Sequence, residues 1–383
     1  MELSPTKEQK QIQKECITFA EKHLKDATFA DRDRAHTFSR ALWQKSGELR
    51  LPGLLVPEAY GGRGLDALGT AMALEGLGIG IEDQGLLMAL GSHLLSCQAP
   101  LVAFGTEAQK QRFLPALSDG AKIATSAMAE PDGSSWSDLA TMAVKDGDGY
   151  RISGEKTLLT NAPSADVVLV YAVTDPEKRA AGGITAFVLD ASTPGIRRGP
   201  SLETMGLHTT EVGSLVFDDV RVDADAVLGQ VGDGAAVFEH AMMWERSLLS
   251  AGQVGQMQKM LDKTITYARS RKIDGKQIGK YQSVSHKITD MKMRVEAARL
   301  LTYRAAWSLD NRPREAALHA SVNKVYVSEA YVKASLDAVQ IMGGKGYLAE
   351  HNVERLVRDS IGGTLYSGSN DAQRSAIAAA LGL

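Results

Sequence analysis

Apolar residues recur at three- and four-residue spacing through the first part of the chain. Ile12, Cys16, Phe19 and Ala20 share one helical face, and Pro57 and Gly61-Gly62 punctuate between segments. The pattern predicts an all-helical domain over 1–123. Between about Ala124 and Val227 the texture changes to short β-branched runs, 167–173, 184–189 and 215–217, with turn chemistry at Asp146-Gly-Asp-Gly149. A small antiparallel β domain over 124–230 follows. After Gly234 the period returns to 3.6 in long helices broken near Asp274-Gly275, Asn311-Arg-Pro313 and Gly343-Gly344, lengths that suit an up-down bundle over 231–383. With no internal repeat, the architecture is α+β: helix, sheet, helix in sequence.

The 43 Lys+Arg against 46 Asp+Glu leave a formal charge of −3, too little field for gripping a polyanion, so nucleic-acid binding is not expected. At 44% hydrophobic and 23% charged, 383 residues suffice for two or three packed cores. Cys16 and Cys97 are too few for a disulfide framework and match no metal-ligand spacing, so no metal is expected. The first residues lack the apolar core of a secretory signal, which makes the cytoplasm the expected location. The stretch from Gln84 to Thr106 is free of charge, but Gln84, Ser92, His93, Ser96, Gln98 and Pro100 interrupt it, which predicts a buried helix and its exit loop rather than a membrane span. His93 and His240 lack a visible nucleophile or metal partner. No nucleophile elbow, P-loop or Gly-x-Gly-x-x-Gly after a strand is present, which argues against hydrolase, ATPase and Rossmann chemistry.

The most informative residue is Glu245. On the helix predicted from Ala235 to about Arg269, Phe238, Met242, Glu245 and Leu249 fall 4, 3 and 4 apart, with Ala241 and Leu248 beside them. A carboxylate in a core-facing slot calls either for a partner, such as Arg246 or a residue on another helix, or for proton transfer.

Several segments spread over the chain resemble the acyl-CoA dehydrogenase family of flavoproteins. They are Val56-Pro-Glu-Ala-Tyr-Gly-Gly-Arg-Gly-Leu65, Ala129-Glu-Pro131, Gly154-Glu-Lys-Thr-Leu-Leu-Thr-Asn161, Arg271-Lys-Ile-Asp-Gly-Lys276 with Gln282, Gln340-Ile-Met-Gly-Gly-Lys-Gly-Tyr347 and Tyr366-Ser-Gly-Ser369. The resemblance implies a helical domain, a central β domain, a C-terminal four-helix bundle, bound FAD and a homotetramer. It places the flavin ring against Thr160 and the segment around Met128, Ala129 and Ser134. Arg271 and Gln282 would reach the dinucleotide of a neighbouring subunit, and Gln340, Gly343 and Gly344 its adenosine or pyrophosphate half. Ser369 joins this set. Singly, Arg271 also fits a solvated surface residue, Gly343-Gly344 a helix break and Thr160-Asn161 a polar strand end.

Three departures stand out. Asp274 replaces a common Phe, about two extra residues lie near Ser134 to Ser137, and the family's usual Tyr-Glu-Gly-Thr base motif reads Tyr366-Ser367-Gly368-Ser369. A minority of the family carries its glutamate in a segment matching Trp244-Glu245-Arg246, so the resemblance makes Glu245 the catalytic base and leaves Ser367 to supply a backbone N–H to the substrate carbonyl oxygen. Met243-Trp-Glu-Arg246, Tyr281-Gln-Ser-Val-Ser285, Asp290-Met-Lys-Met-Arg294, Tyr303-Arg-Ala-Ala-Trp307 and Tyr366-Ser-Gly-Ser-Asn-Asp371 are similar to the prolyl-carrier-protein dehydrogenases of pyrrole-forming pathways. That resemblance implies a peptidyl or acyl carrier protein as partner, an L-prolyl thioester as substrate, and Trp244 and Tyr366 around a small ring. An ordinary acyl-CoA dehydrogenase, or a flavin N-oxygenase or non-catalytic member of the same fold, stays open beside it.

Overall fold

The computed structural model describes residues 5–133 and 138–383. Helix α1 (Lys7–His23) opens on a capping box between Thr6 and Gln9 and buries Ile12, Cys16 and Ala20. It packs on α2 (Ala67–Gly80), which is N-capped by Asp66, apolar nearly all round and buried accordingly. Helix α3 (Gln84–Phe104) is long and apolar enough to cross a membrane by length and composition, yet 89% of its apolar window is buried inside the fold. Over His93–Gln98 it opens into a π turn. Helix α4 (Glu107–Ser118), with a second capping box at Thr106, follows.

Strands β1 (Ala124–Ala127), β2 (Met142–Asp146), β3 (Gly149–Thr160), β4 (Val167–Val173), β5 (Ile184–Asp190), β6 (Ile196–Arg198), β7 (Val212–Val222) and β8 (Val227–Leu228) form one sheet, ordered β6-β7-β3-β2-β4-β5-β8 with β1 beside β4. The antiparallel expectation needs a correction: β1 pairs with β4 in parallel, and β2 meets β4 in parallel at Met142 and Val173. Apolar runs mark strands but do not say which neighbour each will find. Every residue of β4 is buried, as expected of a strand covered on both faces. The β3–β7 ladder is irregular between Lys156 and Leu159, where Leu158 takes φ +56°.

The C-terminal helices are α5 (Gly234–Ser270), α6 (Gln282–Asn311), α7 (Pro313–Met342), α8 (Glu354–Gly362) and α9 (Asn370–Ala380). Asp274 and Gly275, both with positive φ, turn the chain between α5 and α6, and Pro313 starts α7 one residue after α6 ends. Helices α2 and α5 cross at glycines: a Cβ on Gly78 would lie 2.2 Å from the Gly252 carbonyl oxygen, and one on Gly255 the same distance from that of Glu75. That close approach seats α5 against the first domain and brings Glu245 beside α3.

Candidate active site

Glu245 lies on the buried face of α5 between Met242 and Leu249 and is only 6% exposed. Two hydroxyls hold it. Ser96, on the π turn of α3, donates to Oε2 at 2.7 Å, and Ser367, on the loop before α9, donates to Oε1 at 2.8 Å. The ion-pair alternative is not realised: Arg246 donates its Nε to the Ser367 carbonyl at 2.8 Å, and among the described residues no cation sits within 4.0 Å of the Glu245 carboxylate. Burial pushes the carboxyl above its ordinary range, with the two serines, Arg246 and Lys324 pulling the other way.

Helix α7 holds this geometry from behind. Asn323 donates to the Arg246 and Ser247 carbonyls and to Ser250, while the next residue, Lys324, donates to the Thr364 carbonyl at 3.2 Å and to Asn370 at 2.7 Å. One pair of adjacent side chains thus fixes α5 relative to the loop that carries Ser367. Burial draws Lys324 down to about 8. Ser367 itself has φ +58°, and among the described residues no acceptor lies in hydrogen-bond reach of its N–H. A left-handed serine with a free N–H is strained backbone of the kind found at functional sites.

Tyr366 accepts from Gln253 Nε2 at 2.7 Å and lines a cavity of about 20 Å³ beside Leu249. Trp244 lies on the adjoining face of α5 near His240, ring centroids 6.2 Å apart, and does not line that cavity. His93 is fully buried and structural: Nδ1 accepts from Ala124 N–H, so Nε2 carries the proton and donates to the Leu117 carbonyl, and burial lowers the ring to about 4.

The remaining predicted residues fall into two groups. Met128, Ala129 and Thr160 form a ledge on the sheet, tied by Thr157 N–H to the Ala129 carbonyl and by the Thr125 hydroxyl to the Thr160 carbonyl. Asn161 bridges it to α3 through the Ala89 carbonyl. The Thr160 hydroxyl has no partner among the described residues, and Leu158 beside it is 68% exposed. Ser134 and the two extra residues expected near it lie outside the described residues. Arg271, Gln282, Gln340, Gly343 and Gly344 are exposed at the other end of the bundle, where Tyr267 meets the Met342 carbonyl. Arg271 is 26 residues from Glu245, about 39 Å along α5. The Ser369 hydroxyl caps α9 by accepting from Ala372 N–H.

The sequence reading missed Ser96, the hydroxyl role of Ser367, and the Asn323–Lys324 clamp. Ser96 was visible only as one of the polar interruptions of an apolar helix. It also missed that Glu130 and Lys156, inside two of the motifs, form a buried ion pair at 2.8 Å.

The whole chain has known relatives. The acyl-CoA dehydrogenase N-terminal, middle and C-terminal domain families match residues 6–121, 125–220 and 232–382. The chain belongs to the acyl-CoA dehydrogenase family. Within it, an L-prolyl-[peptidyl-carrier protein] dehydrogenase from Pseudomonas fluorescens is 40% identical over 353 residues, 92% of each chain. The crystal structure of the prolyl acyl carrier protein oxidase AnaB superposes with a TM-score of 0.95 at 40% identity, covering 99% of this chain and 100% of the other. The FAD complex of PigA gives 0.96 at 36% identity, with 100% of both chains covered. The residues suit the expected cofactor: an unengaged Thr160 hydroxyl and an exposed Leu158 lie side by side on the ledge, and a Cβ at Gly343 or Gly344 would meet nothing within 4 Å, leaving backbone open to a phosphate.

Proposed function

We propose that this FAD-dependent oxidoreductase removes the α-proton and β-hydride of an L-prolyl thioester carried on a peptidyl carrier protein, toward the pyrrolyl-2-carboxyl group. FAD, when bound, supplies the hydride acceptor. Glu245 as carboxylate takes the α-proton; its buried setting raises its basicity toward working pH. As the proton leaves, charge builds on the thioester oxygen, and the free N–H of Ser367 is placed to receive it. Arg246 steadies that N–H by gripping the carbonyl of the same residue. The observation that carries the reading is the ionisable side chain held by two hydroxyls and no cation, next to a loop that has lost the family's usual acid. The relatives that share 40% identity are prolyl-carrier enzymes, which supports the substrate.

Met128, Ala129 and Thr160 serve the flavin of the same chain in this reading. Arg271, Gln282, Gln340, Gly343 and Gly344 stand too far from Glu245 to do so, and serve a neighbouring subunit, as in a homotetramer. The deciding assay mixes oxidised holoenzyme with prolyl-loaded carrier protein and, separately, with short acyl-CoAs, and follows flavin bleaching. Bleaching by the CoA esters alone overturns the carrier reading.

A pH experiment tests the base. Ser96 and Ser367 donate to the carboxylate form, so removing either hydroxyl favours the protonated acid. Ser96→Ala and Ser367→Ala are each expected to move the acid limb of the single-turnover reduction rate up by about one pH unit, the size of one charge-assisted hydrogen bond. An unmoved limb dissociates that limb from Glu245.

A further inference from the structure

A small cavity about two turns of α5 from Glu245 carries polar groups among its apolar lining of Leu87, Met88, Leu207 and Leu249. Along α5, Glu245, Leu249 and Gln253 lie four residues apart on one face, so Gln253 lies about 12 Å beyond the carboxylate's own Cα, and its side chain points back toward it. Gln253 and Tyr366 meet at 2.7 Å on the cavity wall. Gln253 uses its amide N–H in that bond, and Gln253 Oε1 has no partner among the described residues. Two more polar groups lining the same cavity are buried without a protein partner: Gln84 Nε2, on a residue 5% exposed, and the Tyr331 hydroxyl, on a residue 1% exposed. Stranded polar atoms are rare in folded proteins, and each asks for a ligand or a water. Two such groups on one small space, set among Leu87, Met88, Leu207 and Leu249 and about two turns of α5 from a carboxylate, mark the polar part of its floor. At about 20 Å³ the space has room for a single water.

We infer that Gln253, Tyr331, Tyr366 and Gln84 form a recognition floor for the substrate's ring nitrogen, directly or through one water, and that this floor selects a short aminoacyl group against an acyl chain. The inference rests on the proposed function and names what that site discriminates. A neutral cyclic secondary amine brings one N–H to Gln253 Oε1 or the Tyr331 hydroxyl and one lone pair to Gln84 Nε2. A carbocycle of the same size leaves Gln84 Nε2 and the Tyr331 hydroxyl unpaired, which a site built for hydrogen bonding rejects far more strongly than a missing methylene. A longer chain meets the Gln253–Tyr366 pair as a closed end.

The test uses holoenzyme and three carrier-loaded thioesters: L-prolyl, cyclopentanecarbonyl and hexanoyl. For the wild type, kcat/KM for flavin reduction is expected to favour prolyl over cyclopentanecarbonyl by at least about tenfold, with hexanoyl inert. In Gln253→Leu the ratio is expected to fall to within about threefold, through a raised KM for prolyl with the carbocycle unaffected or improved. Tyr331→Phe removes only an unpaired hydroxyl, leaves packing intact and is expected to narrow the ratio in the same direction. Flavin absorbance confirms that both variants are loaded, and equilibrium binding of the prolyl amide analogue on carrier protein must weaken in step with KM. A wild type indifferent to the nitrogen, or a ratio unchanged in both variants, overturns the inference while leaving prolyl turnover and the proposed function standing. A wild type inert to prolyl carrier but active on acyl-CoA overturns both.

Discussion

Glu245→Gln is expected to keep its FAD and lose flavin reduction by prolyl-loaded carrier protein about 10²- to 10⁴-fold, the span over which positioned general bases contribute. The substitution preserves shape and leaves an acceptor for Ser96 or Ser367, since hydroxyls rotate to suit an amide. What it removes is the capacity to bind a proton. Stability separates this from a structural role. Burial raises the carboxyl above its unfolded value, so the acid contributes stability below the unfolded pKa, and that contribution is lost as pH rises through the folded pKa. Above the folded pKa the wild type carries the cost of a buried anion that the glutamine variant lacks. The variant is therefore expected to melt no lower than the wild type at pH 8, with any advantage shrinking toward pH 4. Stopped-flow bleaching and thermal melts on the same preparations read both effects. An undiminished rate removes Glu245 from the chemistry, and a sharply lowered melting temperature recasts it as a structural acid.

Much of this was legible in the chain because period and punctuation are local. The switch from 3.6 to 2 and back marks the three layers, and Pro313, Gly343 and Asp274-Gly275 sit where the helices break. Glu245 was legible because one charged residue broke an otherwise apolar stripe. Its partners were not, since Ser96 lies 149 residues away and Ser367 122, and a serine in a helix carries no mark of what it touches. The parallel pairing of β1 with β4 was hidden for the same reason: pairing is a relation between segments. Trp244 shows the converse limit. The resemblance placed its indole around the substrate ring with Tyr366; neighbours on a helix point about 100° apart, and here the indole lies beside His240.

The second large effect concerns the scaffold under the sheet ledge. Lys156→Met is expected to destabilise the protein by about 3–5 kcal/mol, the usual consequence of stripping one partner from a buried ion pair. Lys156 is fully buried, with Nζ 2.8 Å from Glu130 Oε1 and 3.0 Å from the Met128 carbonyl. Burial lowers the ammonium to about 8, while the Lys156 bond and the Thr141 and Ala140 contacts outweigh the burial of Glu130 and hold it below its ordinary value, so both are ionised at neutral pH. Methionine fills the volume but leaves a carboxylate with, among the described residues, two backbone donors, Ala140 N–H at 2.6 Å and Thr141 N–H at 2.9 Å. Because the pair fastens the Met128–Glu130 segment to β3, loss should extend to cofactor retention, and the variant is expected to shed FAD on gel filtration. Denaturant midpoints measure the energy. Lys156→Met combined with Glu130→Gln should recover a substantial part of the loss, since no charge is then stranded, whereas Arg197→Ala, which breaks an exposed pair with Asp218, should leave the midpoint unmoved. Equal midpoints for Lys156→Met and the wild type would show that the motif lysine serves something other than this fastening.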